Sequence, residues 1–265
     1  MTHHLSTRAF SLVELSIVLV ILGLLTGGIL GGQALIRAAE LRAVSTEIMR
    51  FQTAIATYQD KYLELPGDGR NATRFWLRQN GNADCVSNSG AATNSAGVCD
   101  GNGSGMIDGG GASQASEMLQ IWRHLAKAGL IEGDYAGIAP ASNGFDVIAG
   151  TNIPRSRVSG GGYYINQWDN SMNTGDANYY ALNHGNNLTV GAKQTAGWHD
   201  APLLKPEEAW NIDTKMDDGK PGLGKVVIGF TYPNCTLAAN ATDFAADYRL
   251  NNSAVACSIR VIRLF

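Results

Sequence analysis

The chain has 265 residues, 45% of them apolar and 16% charged, with a formal net charge of -3. This balance excludes a chain too polar to bury a core, and it lacks the concentrated basic charge of a nucleic-acid binder, because its Lys and Arg residues are scattered. Four cysteines, Cys85, Cys99, Cys235 and Cys257, are compatible with an oxidising compartment.

The chain opens with a short polar stretch, residues 1–9, that carries Arg8 just ahead of an apolar run from Phe10 to Ile36. A run of about 20 apolar residues is long enough to cross a bilayer as a helix. Its one charge is Glu14, near the start. An acid inside such a span is costly unless it finds a partner, so it is read first as a functional group. A secretory signal peptide places its small-residue cleavage site after the apolar region. Here the small residue, Ala9, comes before it. Arg8 on the cytoplasmic side places the bulk of the chain in the periplasm.

The helical pattern continues past the span. Leu41, Val44, Ile48, Phe51, Ile55, Tyr58 and Tyr62 recur at spacings of three and four, until Pro66-Gly67 breaks the pattern. The spacing predicts one helix from about Ser11 to Leu63, roughly 80 Å long at the α-helical rise. The stripe is read as packing against the chain's own sheet, with contact between copies of the chain as the alternative. Gly23, Gly27, Gly28, Gly31 and Gly32 weaken the apolar half by up to about 1 kcal/mol each relative to Ala.

The block Ala9-Phe10-Ser11-Leu12-Val13-Glu14-Leu15, behind a short basic leader, resembles the class III signal of type IV pilins and type II secretion pseudopilins. The resemblance implies cleavage between Ala9 and Phe10 by a prepilin peptidase, where the family's usual residue before the cut is Gly. It implies methylation of the Phe10 amine and pairing of Glu14 with that amine in a neighbouring copy. A buried carboxylate and a buried ammonium are each expensive alone and offset each other when paired, so Glu14 would set the register of assembly. The partners implied are copies of the same chain in a helical filament, other pilins, the prepilin peptidase and the bacterial inner membrane, with no nucleic acid. The segment Leu24 to Gly32 corresponds to the stretch that often loses helix in assembled filaments of the family.

Residues 64–159 read as a long, Gly-rich, decorated connection. Asn71 to Leu77 is predicted as a short helical turn anchored by Phe75 and Trp76. Ser113 to Ile131 is predicted as an amphipathic helix with Ser113 or Ser116 at its start and Gly129 near its end. His124 on this helix is read as a packed or capping residue.

Between these helices lies Asp100-Gly-Asn102-Gly-Ser104-Gly105-Met106-Ile107-Asp108, which matches the first part of an EF-hand-like calcium loop. Asp100, Asn102, Ser104 and Asp108 would offer side-chain oxygens and Met106 its carbonyl. The twelfth position is Gly111, so Glu117 is the expected substitute for the missing acid. No EF-hand helix precedes the loop, and the competing reading is a plain Gly/Asn/Asp surface loop. Calcium is the one cofactor the sequence suggests.

Residues 160–265 read as strands and turns. Gly162 to Trp168, Tyr179 to Asn183, Asn187 to Val190, Lys225 to Tyr232 and Val255 to Phe265 are the predicted strands, and Pro206 to Met216 is a predicted helix. Asp213, Asp217 and Asp218 are read as a helix end followed by an Asp-Gly turn, with a second calcium site as the alternative. Four cysteines allow three connectivities, and locality favours Cys85–Cys99 and Cys235–Cys257. No GxSxG, HExxH or P-loop pattern occurs, and His184 and His199 fall in polar stretches, so the chain is not expected to be an enzyme.

The expected organisation is a leader at 1–9, an apolar helix at 10–36, its amphipathic continuation at 37–63, the decorated region at 64–159 and a periplasmic β-sheet region at 160–265. The expected fold is α+β, a long N-terminal helix packed on an antiparallel sheet. The expected role is a structural subunit of a type IV pilus or pilus-like filament. The alternatives are a type II secretion pseudopilin or a minor tip pilin acting as a binding module.

Overall fold

The structure is a computed structural model that describes residues 11–79, 96–109, 116–139, 146–172, 178–195 and 197–265. Its first element, α1 (Leu12–Tyr62), is a single helix of 51 residues. The chain divides into two compact units, residues 1–40 and 41–265, so α1 crosses the division.

The first unit's described part is α1 up to Glu40. It has a window of mean hydropathy 2.4 that is wholly exposed, and it is long and apolar enough to cross a membrane. Added Cβ atoms at Gly23, Gly27, Gly28, Gly31 and Gly32 would meet nothing within 4 Å, so no described neighbour in the chain demands glycine there.

The second unit is built on the amphipathic half of α1. Val44, Ile48, Phe51, Ala54, Ile55 and Tyr58 are its buried residues, the stripe expected from a spacing of three and four. The next elements are α2 (Ala72–Phe75), α3 (Glu117–Lys127), β1 (Gly161–Asp169), β2 (Asn183–Ala192), α4 (Pro206–Met216), β3 (Val226–Ile228), α5 (Tyr232–Cys235) and β4 (Ile259–Val261). The strands form one antiparallel sheet in the order β1-β2-β4-β3. The fold is α+β.

Register explains how the sheet meets the helices. Tyr163, Val190, Ile259 and Ile228 lie in one row across the four strands. These four belong to the core cluster that includes the α1 stripe and Met118, Ile121, Trp122 and Leu125 of α3. Phe51 makes edge contacts with Trp122 and Tyr163, with ring centroids 5.0 and 5.1 Å apart. The Tyr163 hydroxyl donates to the Glu47 carboxylate. The adjacent row, Tyr164, Thr189, Arg260 and Val227, faces the other way, because side chains alternate along a strand.

The helix ends follow their chemistry. Pro206 occupies the first turn of α4, and Glu208 reaches back to accept from the Lys205 N–H at 2.9 Å. Gly129 takes φ +72 just after α3, while the Leu130 N–H donates to the Leu125 carbonyl. Ser116 is the α3 N-cap by position but makes no side-chain cap bond. The Met118 N–H instead donates to the Asp108 carbonyl. Ser113 lies outside the described residues.

Three expected strands differ. Tyr179 to Asn183 is not a strand before Asn183. Tyr179 and Tyr180 are buried there, and their carbonyls accept from the Asn170 side chain. The run from Lys225 to Tyr232 pairs only over Val226–Ile228, since Thr231 at φ +62 turns the chain into α5. The last strand pairs only over Ile259–Val261. The disulfide Cys235–Cys257 joins α5 to the approach of β4. Cys85 lies outside the described residues, so its expected pairing with Cys99 does too; no described cysteine is free.

Candidate functional site

Two places carry the residues that the sequence singles out. The first is the start of α1. Ala9 and Phe10 lie outside the described residues. Glu14 sits in the first helical turn, where its Oε2 accepts from the Ser11 N–H at 3.0 Å, and Ser11 Oγ accepts from the Val13 N–H. A carboxylate in this position satisfies an orphan N–H and complements the positive end of the helix dipole. Glu14 and its apolar neighbours are exposed, so the carboxylate is free to face a group from another molecule.

The second place is the loop from Asp100 to Asp108. Gly101 allows it to lie against the chain at Asp68, since a Cβ there would fall 2.3 Å from the Asp68 backbone. Gly105 takes φ +81, a conformation that favours glycine. The Glu117 carboxylate, at the first residue of α3 and fully buried, accepts from the Asn102 and Asp108 N–H groups at 2.9 Å each. The Asn102 amide nitrogen donates to Asp108 Oδ2 at 2.8 Å. Asp68, a residue the motif does not include, accepts from the Ser104 and Gly105 N–H groups at 3.0 and 2.8 Å. Ser104 Oγ donates to the Met106 carbonyl.

The fold thus brings Asn102, Asp108 and Glu117 together and adds Asp68. Asp100 turns elsewhere, accepting from the Thr73 N–H and hydroxyl at 2.7 and 2.8 Å and so capping α2. Calcium needs six to eight oxygens converging on one point. Here protein donors already face both carboxylate oxygens of Asp100, Asp68 and Glu117, and the loop is closed by hydrogen bonds of its own. Burial pushes the Glu117 carboxyl up to about 7, and nearby Asp68 and Asp108 add to the rise, against the pull of its two backbone donors. A neutral carboxyl accepts these bonds with less desolvation cost than a charged one.

Among the described residues, Asp213, Asp217 and Asp218 form a group of three carboxylates whose oxygens lie within 4.8 Å of one another. Their bonds are those of a helix end and a turn. Asp213 accepts from the Tyr248 hydroxyl and the Gly219 N–H, Asp217 from the Lys225 and Val226 N–H groups, and Asp218 from the Lys220 N–H. Burial pushes the Asp213 carboxyl up to about 7.

The described histidines are His124, His184 and His199. His124 Nδ1 accepts from the Gly67 N–H at 2.9 Å, which leaves the proton on Nε2 to donate to the Cys99 carbonyl at 3.0 Å. Burial lowers its pKa to about 4, so the ring is neutral at pH 7 and clamps α3 to two loops. His184 is buried on β2, not in a polar loop, and His199 is buried beside Gly191, whose carbonyl lies 2.7 Å from its Nδ1. No protein-family model matches the chain, and no curated protein or solved structure matches it.

Proposed function

We propose that the chain is a structural subunit of a type IV pilus or pilus-like filament, cut between Ala9 and Phe10, methylated on Phe10 and polymerised through the apolar half of α1. The observation that carries this reading is the state of that half. Every Leu, Ile and Val from Leu12 to Ile36 is between 50% and 86% exposed. Burying one such side chain is worth about 1.5–3 kcal/mol, so the segment requires an apolar surrounding that the subunit does not supply. Lipid meets that need before assembly, and the same segments of other copies meet it afterwards.

Glu14 gives the assembly its register. In the lone subunit its carboxylate holds the Ser11 N–H. In the filament it faces the Phe10 ammonium of a neighbour, and a copy displaced by one helical turn leaves both charges buried and unpaired. Residues 41–265 form the outer coat, and the reading assigns them no catalysis. A pseudopilin or a tip subunit shares the same processing and differs in copy number and location. Peptide mass spectrometry of filaments sheared from producing cells tests the proposal. An abundant peptide starting at N-methylated Phe10 is expected, and an intact Met1 in membrane-bound protein would overturn it.

A further inference from the structure

A groove of about 550 Å³ lies in the second unit between α1, the end of α4 and the start of β3. Arg42 and Met49 line it from α1, two helical turns apart and so on one side of the helix. That side flanks the buried stripe of Val44, Ile48 and Phe51 and is not part of it. Lys215 and Met216 line the groove from the last turn of α4, and Lys225 and Val226 line it where β3 begins.

Three cations are rooted in these walls, and no acid among the described residues is. Arg42, Lys215 and Lys225 are exposed, and none forms an ion pair among the described residues. Arg37, nearer the apolar run, differs, because its Nη1 meets Glu40 at 3.1 Å. Asp217, which follows Met216, turns its Oδ2 to the backbone N–H groups of Lys225 and Val226. A cleft lined by one sign of charge focuses the field and raises the local concentration of counter-ions. Met49, 52% exposed, and the half-buried Met216 give the same groove an adaptable apolar surface. The groove therefore joins positive charge to apolar area.

We infer that the groove binds the headgroup of an anionic phospholipid. The phosphate meets the charges of Arg42, Lys215 and Lys225, and the first methylenes of an acyl chain lie against Met49 and Met216. A phospholipid carries both chemistries in one molecule, whereas a dissolved anion leaves the methionines unused. The tether favours lipid as well. Arg42 follows Ile36, the end of the exposed apolar run, by six residues, or about 9 Å at the α-helical rise. The polar layer of a bilayer adds roughly 5–8 Å on each side of its hydrocarbon core. With the run in the bilayer, a headgroup is thus presented to Arg42 at high local concentration. Basic clusters beside a membrane span read as sites for anionic lipid on the same grounds. The inference rests on the apolar half of α1 being a membrane span, but not on filament assembly.

The test uses the full chain, labelled at its methionine methyl groups, in micelles of a zwitterionic detergent at low salt. Short-chain phosphatidylglycerol, short-chain phosphatidylcholine and inorganic phosphate are titrated separately and followed by NMR. Phosphatidylglycerol is expected to move the Met49 and Met216 signals saturably and to leave Met106, Met118 and Met172 in place. Phosphatidylcholine is expected to move none. Arg42→Gln, Lys215→Gln and Lys225→Gln are each expected to weaken binding roughly fivefold, with the signal of Met118, buried in the core, confirming the fold. Equal responses to the two lipids would overturn the inference, and so would unchanged affinity in the triple variant. Saturation by inorganic phosphate at the same concentration would show a site for free anions instead. Movement of both signals with protein concentration alone would show that a second copy fills the groove. Alkaline carbonate extraction of membranes from producing cells separates the two readings. A chain released by carbonate would overturn the anchor and the inference together, whereas a retained chain that fails the titration would overturn the inference alone.

Discussion

The two halves of α1 use similar residues to opposite ends. From Leu12 to Ile36 every large aliphatic side chain is at least half exposed, whereas Val44, Ile48, Ile55 and Tyr58 are buried to 1% exposure or less. The second half solves its hydrophobic problem inside the chain, against α3 and the sheet. The first half has no such solution among the described residues. Helix propensity is the same kind of term in both halves. What separates them is where the apolar area goes.

The contrast breaks most visibly at Phe51, which sits between Trp122 and Tyr163. Phe51→Ala is expected to cost about 3–5 kcal/mol of stability. Leu19→Ala is expected to change the stability of the second unit by no more than about 0.5 kcal/mol. Denaturant unfolding of both variants in detergent, followed through the buried tryptophan, checks the pair. Equal losses would erase the distinction between the halves.

The second unit also holds itself together covalently. Cys235 and Cys257 are 22 residues apart in sequence, and opening that loop with the Cys235→Ser, Cys257→Ser double variant is expected to cost about 3 kcal/mol in the chain-entropy model. A denaturation midpoint equal to wild type would show that the bond contributes nothing.

A smaller effect separates the units by pH. Glu117 and Asp213 are held at about 7 in the fold, against ordinary values of 4.5 and 3.8. Between about pH 4 and pH 7 the folded chain therefore keeps protons that the unfolded chain has lost. The contribution of these two groups to stability is largest below this window and falls as pH rises through it. Melting temperatures measured from pH 4 to 8 are expected to decline more steeply in wild type than in Glu117→Gln or Asp213→Asn. The same slope in all three would contradict the assignment. The smallest expected effect is that of calcium. Because donors of the chain already occupy the Asp68, Asp100 and Glu117 oxygens, excess calcium added after chelation should leave the melting temperature unchanged. A rise of several degrees would show that the loop rearranges around the ion.

Local patterns made much of the fold legible. The stripe from Leu41 to Tyr62 named the buried face of α1, and the predicted helix Pro206 to Met216 is α4. What stayed hidden depends on distant contacts. Aromatic content suggested a strand at Tyr179 and Tyr180, but those rings are buried from a turn held by Asn170. The predicted strand from Val255 to Phe265 did not show that Arg260 is buried, yet Arg260 is 2% exposed, with the Asp200 carboxylate 3.7 Å away. At the candidate loop, Asn102, Asp108 and Glu117 were legible from spacing. Asp68 was not, because only the fold brings it to the Ser104 and Gly105 amides, and no spacing rule reveals that the Asp100 carboxylate accepts from Thr73 at the N-terminus of α2.

The central claim is that copies of this chain bury one another's Leu12–Ile36 segments. A photo-reactive phenylalanine analogue placed at Val20, which is 61% exposed in the lone subunit, tests it directly. Irradiated filaments sheared from cells are predicted to yield a ladder of covalent multimers joined through this position. Monomer alone, with the label attached only to lipid, would contradict the account.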